Sequence, residues 1–206
     1  MRVTPLGLPA LALALALGCG GKAMDDGAAI ALGPEPQGSY PPESAYHRPG
    51  QPCTACHKKD GAAATELALA GTVFWGPTGA RPAENVYVRI LDASASRHCF
   101  VTNCAGNFFA RPNELASLVF PLLVSIERAK DPGRDEATLI TRRMGSHIGR
   151  ASSCATCHAL GAANEASAGQ VHLFASEDEA NAMGPAASAC PAPTAPTVTK
   201  CPEDRL

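Results

Sequence analysis

Aromatic side chains are scarce in this 206-residue chain, which has one Trp, three Tyr and six Phe, 5% of its residues. Large rings supply much of the area that a core buries, so protein side chains alone promise only a thin core. An excess of charge is missing too. Seventeen Lys and Arg stand against nineteen Asp and Glu, a formal net charge of −2, which leaves no electrostatic footprint for nucleic acid. After Leu17 no apolar run is long enough to cross a bilayer as a helix. What the chain does hold is nineteen Gly, eighteen Pro and nine Cys.

Arg2 precedes an almost unbroken Leu/Ala run from Leu6 to Leu17. That run is short for a membrane span and has the length of the apolar stretch of a secretory signal peptide. It ends in Ala16-Leu17-Gly18-Cys19, which resembles the lipobox of bacterial lipoproteins. The resemblance implies a signal peptide over 1–18 and a lipid on Cys19, hence an exported protein held at a membrane, periplasmic or on the outer membrane. Plain secretion, with Cys19 incidental, is the alternative. Residues 19–46 read as a flexible linker, because Gly33-Pro34-Glu35-Pro36 and Tyr40-Pro41-Pro42 block regular structure.

The other eight cysteines sort into two kinds. Cys53 with Cys56, and Cys154 with Cys157, each belong to a C-x-x-C-H motif that ends at His57 and His158. Cys99 with Cys104, and Cys190 with Cys201, are left as pairs close in sequence. In an oxidising compartment they are expected as disulfides, though connectivity does not follow from sequence.

C-x-x-C-H is a haem-attachment motif for geometric reasons. Two thiols three positions apart on a helical turn can reach the two vinyl groups of one macrocycle, and the adjacent histidine then falls beneath the iron. A redox C-x-x-C or half of a zinc site are the alternatives. Two complete motifs favour haem, and two macrocycles would also offset the shortage of aromatic core. On these residues the chain resembles the di-haem c-type cytochromes of exported electron-transfer systems. The resemblance implies two c-type haems, with Cys53, Cys56, Cys154 and Cys157 as thioether sites and His57 and His158 as proximal iron ligands. It further implies an electron carrier with a redox partner protein. A peroxidase-like enzyme with one open iron, or a haem-containing sensor or binding lipoprotein, are the competing readings.

Between the motifs the texture is that of strands. Thr72-Val73-Phe74-Trp75, Val86-Tyr87-Val88-Arg89-Ile90, Cys99-Phe100-Val101, Asn107-Phe108-Phe109 and Leu122-Leu123-Val124-Ser125-Ile126 are separated by Gly, Pro and Asn turns. Their order is similar to that of the carboxypeptidase-regulatory-like, transthyretin-like β-sandwich over 70–128, which implies a scaffold. The expected fold is mixed and mainly β. A short sandwich-like core (66–130) is flanked by small haem-binding loop or helix segments (47–65 and 131–175), and 176–206 form an irregular tail. Within the second segment, 136–147 has helical character.

Four histidines lie outside the motifs. His47 and His147 sit six and seven residues before the first cysteine of their motifs and are the expected distal iron ligands, each to its own haem or exchanged. Met144 is the rival to His147 on the same helical face, and Met–His ligation would raise the potential. His172, amid Val171, Leu173 and Phe174, is either a further distal-ligand candidate or a core histidine, the core reading being preferred, and His98 is expected as a strand or turn residue. Arg142, Arg143 and Arg150 are candidate partners of haem propionates.

Overall fold

The computed structural model describes residues 32, 44–78, 81–115, 117–129, 139–159, 163, 165, 167–184, 189, 190 and 201. The signal segment and Cys19 lie outside them. Six strands are described: β1 (Leu69–Thr72), β2 (Tyr87–Leu91), β3 (Arg97–Val101), β4 (Asn107–Ala110), β5 (Leu123–Ala129) and β6 (Leu139–Arg143). They form two antiparallel sheets, β1-β4 and β3-β2-β5-β6. The chain is mainly β, as expected.

Period-two alternation explains the larger sheet. In β2 the Val88 and Ile90 side chains are buried, while Tyr87, Arg89 and Leu91 turn outward. Val88 pairs with Phe100 of β3 on one side and Ile126 of β5 on the other, so the apolar rows of three strands coincide. Residues of both sheets share one core, in which Phe100 of β3 stacks on Phe108 of β4 at 6.3 Å between ring centroids. The single Trp completes that core. Trp75 stacks on Phe174 at 5.8 Å and carries the Arg128 guanidinium 4.3 Å from its ring centroid. Arg128 is buried and donates to the Glu84 carbonyl at 2.6 Å, so its charge keeps both a hydrogen bond and a π-face.

The turn between β3 and β4 is built from Asn103 and Gly106. The Asn103 side-chain carbonyl accepts from the N–H groups of Ala105 and Asn107 at 3.0 and 3.1 Å. Gly106 has φ +69°, and a Cβ there would collide with the Val73 carbonyl.

Three expectations are corrected. The helix over 136–147 is replaced by β6, whose Ser125↔Arg143 to Ala129↔Leu139 register extends the sheet; residues 136–138 lie outside the described set. Leu139, Ile140 and Thr141 suit a pleated edge, and pairing with β5 outweighs a weak local helical pattern.

The disulfides cross instead of closing locally. Cys99 bonds to Cys201 and Cys104 to Cys190, each with Cα atoms 5.4 Å apart. Cys99 lies in mid-strand, and the extended run from there to Thr102 alone carries the chain about 10 Å, beyond the reach of a disulfide. Both bonds instead tie the C-terminal segment to the β3–β4 corner.

Finally, the tail begins with a helix, α1 (Glu177–Met183), and not with irregular chain. Ser176 caps it by accepting from the Glu179 N–H at 3.1 Å, and Glu179 accepts in turn from the Ala175 N–H.

Candidate functional site

Both C-x-x-C-H motifs fold into the same short structure. Each pair of cysteines starts and follows a 3-10 turn, Cys53–Ala55 in one case and Cys154–Thr156 in the other. In each, the histidine N–H donates to the carbonyl of the first cysteine at 2.9 Å. The chain then loops out and returns to grip the histidine ring. His57 Nδ1 lies 2.7 Å from the Thr65 carbonyl oxygen, and His158 Nδ1 lies 2.8 Å from that of Gly169. A carbonyl can only accept, so Nδ1 must carry the proton in both rings. The Nε2 lone pair is thereby left for another partner, the arrangement that orients a metal-binding imidazole.

Two further histidines are held in the same way. His47 Nδ1 donates to the Ser44 carbonyl. His172 Nδ1 is 2.6 Å from the Phe174 carbonyl oxygen; the Arg142 guanidinium, 3.4 Å away, lies beside a nitrogen that is already a donor. His98 differs, for its Nε2 meets Asp92 at 3.1 Å on β3, as befits a strand residue. His147 is exposed, and no hydrogen bond holds its ring among the described residues. It lies between Met144, whose N–H donates to the Val124 carbonyl, and Ile148, which pairs with Leu122. Met144 is half-buried on that extended stretch, so the helical face that was expected to align it with His147 does not exist.

The His47 and His57 rings lie with centroids 5.7 Å apart and planes tilted by 30°. They line a cavity of about 600 Å³ together with Cys53 and Cys56, and Leu67 and Phe108 close part of its wall. Burial pulls the His57 pKa below its usual value, against the opposing effect of its Thr65 hydrogen bond. The ring is therefore neutral, as a ligand must be.

Strand β1 brings the two motifs together. It packs against both 3-10 turns, and all four of its residues are buried. The Ala70 N–H donates to the Ser152 carbonyl, and Ala70 bridges to Ser153 just before Cys154. On the other motif's side, the Thr72 hydroxyl accepts from the Gly50 N–H at 2.8 Å and donates to Asn107 at 2.7 Å. Asn107 in turn donates to the His47 carbonyl at 3.1 Å. Two cysteines so far apart in sequence thus become neighbours, and a charge on Cys53 would raise the pKa of Cys154. Burial pushes the Cys53 thiol up to about 11 and the Cys154 thiol up to about 12. None of the four motif cysteines is in a disulfide.

Of the sequence-derived sites, the structure unites Cys53, Cys56 and His57 with His47 around one cavity. Cys154, Cys157 and His158 stand beside the same strand, β1, next to the Ala70–Ser153 bridge. The structure places Arg142 beside His172, while Arg143 and Arg150 are exposed. The fixed ring of His172 went unread in the sequence, where its apolar neighbours pointed to core. Leu173 and Phe174 are buried, but His172 itself is only half-buried. Among the described residues, no group of three or more His, Cys, Asp or Glu side chains converges as a metal-ion cluster. No protein-family model, curated protein or solved structure matches the chain.

Proposed function

We propose that this chain is a di-haem c-type cytochrome, an electron carrier exported and anchored at a bacterial membrane through Cys19. The observation that carries this reading is the duplicated motif geometry. Two cysteine-bearing 3-10 turns each present a histidine whose Nδ1 is fixed to a backbone carbonyl and whose Nε2 meets no hydrogen-bond partner among the described residues.

The donor set fits the group. At the first motif, Cys53 and Cys56 would each add their S–H across one vinyl group, the sulfur and the hydrogen going to its two carbons. His57 would ligate the iron through Nε2, and His47 lines the same cavity. At the second motif, Cys154, Cys157 and His158 have the corresponding roles. When bound, the haems supply the one-electron redox centres. The protein's own contribution would be to hold the imidazoles of His47, His57 and His158 by Nδ1 hydrogen bonds, which raise their basicity and set their orientation. The thioethers keep the group from being lost, and β1 keeps the two sites close for electron exchange.

A redox titration of the purified chain tests the role. Uptake of two electrons per chain, with low-spin ferric signals at both irons and no peroxide turnover, is expected. A high-spin ferric centre in the wild type together with peroxidase activity would instead favour an enzyme with one open iron.

A further inference from the structure

The second motif supplies its haem with one axial ligand, His158, and another is needed if both irons are six-coordinate. We infer that His172, and not His147, is the distal ligand of the haem held by Cys154, Cys157 and His158, an assignment that rests on the di-haem reading above.

Four of the six histidines share one feature, a ring whose Nδ1 donates to a backbone carbonyl: His47, His57, His158 and His172. At the first motif the two that share it are a proximal and a neighbouring ring. His158 and His172 are the remaining two. One short segment holds both. The Gly169 carbonyl grips His158, and His172 follows three positions later, so the two Cα atoms of that segment are at most about 11 Å apart.

That segment is itself anchored. Phe74 bridges to His172, its N–H donates to the Val171 carbonyl, and the N–H groups of Leu173 and Phe174 donate to the carbonyls of Phe74 and Trp75. The Gln170 side chain donates to the Gly76 carbonyl at 2.7 Å. His172 is thus held on a strand-like stretch, three residues beyond the Gly169 carbonyl that grips His158. The His147 ring has no such hydrogen bond among the described residues. It is exposed, and glycines 145 and 149 on either side face open space.

The test uses the full chain from a host with cytochrome c maturation, carrying His172→Ala, His172→Asn or His147→Ala. Intact mass reports the haem count, and electron paramagnetic resonance and visible spectra report spin state. Each His172 variant should keep two covalent haems and turn one of the two irons high-spin, with added imidazole restoring the low-spin signal. Asn retains a donor for the Phe174 carbonyl, so agreement between the two variants separates lost ligation from lost structure. His147→Ala should leave both irons low-spin. Two low-spin irons in the His172 variants, or a high-spin iron in His147→Ala, overturns the assignment. A wild-type chain without covalent haem overturns the parent reading along with it, and mass alone separates that result from failure of His172.

Discussion

The Sγ of Cys154 occupies space that a Cβ on Gly71 would need. A Cβ at position 71 would lie 2.7 Å from that sulfur and 2.7 Å from the Phe108 ring. Phe108 also lines the cavity of the first motif, so this single ring borders both sites. Gly71→Ala should therefore displace Cys154 or Phe108. We expect the variant to lose haem at Cys154 and Cys157 by more than half while the first motif still loads, as measured by peptide mass mapping. Equal loading at both motifs contradicts this close contact.

Cys99–Cys201 closes a loop of 102 residues and Cys104–Cys190 one of 86. The loops are nested, so with Cys104–Cys190 intact the Cys99–Cys201 bond closes an effective loop of only roughly 16 residues and contributes about 3 kcal/mol, less any native strain. Cys99→Ser with Cys201→Ser should lower the unfolding free energy by an amount of that order in denaturant titration. Non-reducing peptide maps should show the crossed pairs, and a Cys99–Cys104 peptide would contradict the topology.

Before haem is attached, the motif thiols should differ in reactivity. Thiolate is the nucleophile, and burial holds Cys53 and Cys154 in the thiol form well above neutral pH. Cys157 is exposed. At pH 8, iodoacetamide should label Cys157 first and Cys154 slower by roughly a hundredfold or more. The linkage has a definite sign. The folded chain binds these thiol protons more tightly, so the associated stability is present below pH 9 and is lost as pH rises through 11 to 12. Labelling of Cys154 at the Cys157 rate would contradict the raised pKa of its thiol.

Cys19→Ser should move the protein from the membrane fraction to the soluble one, because the proposed reading anchors the chain through a lipid on Cys19. A wild-type protein that fractionates as soluble contradicts the anchor and leaves the haem chemistry untouched.

Much of the sheet was legible. The V-x-V-x-I run of β2 and the Asn103–Gly106 turn are short-range signals, and the structure uses both as read. β6 was missed because its pairing with β5 is non-local, while Leu139, Ile140 and Met144 imitate one face of a helix. α1 was missed although Ser176 and Glu179 spell out its capping box. The disulfides were misjudged because proximity in sequence stood in for proximity in space, and an extended strand separates what sequence places together. At the site, the two C-x-x-C-H turns were legible in full. What could not be read was the carbonyl that each histidine ring would meet, since Thr65, Gly169 and Phe174 carry no mark of that role.

The central claim is that this chain holds two covalent haems, and the most direct measurement is the intact mass of the purified full chain, with the haem stain on a denaturing gel. The account predicts two haems on the wild type, one on Cys53→Ser/Cys56→Ser, one on Cys154→Ser/Cys157→Ser, and none when all four are replaced. A wild-type mass with zinc, with two C-x-x-C disulfides, or with no haem after expression alongside the maturation machinery would contradict it.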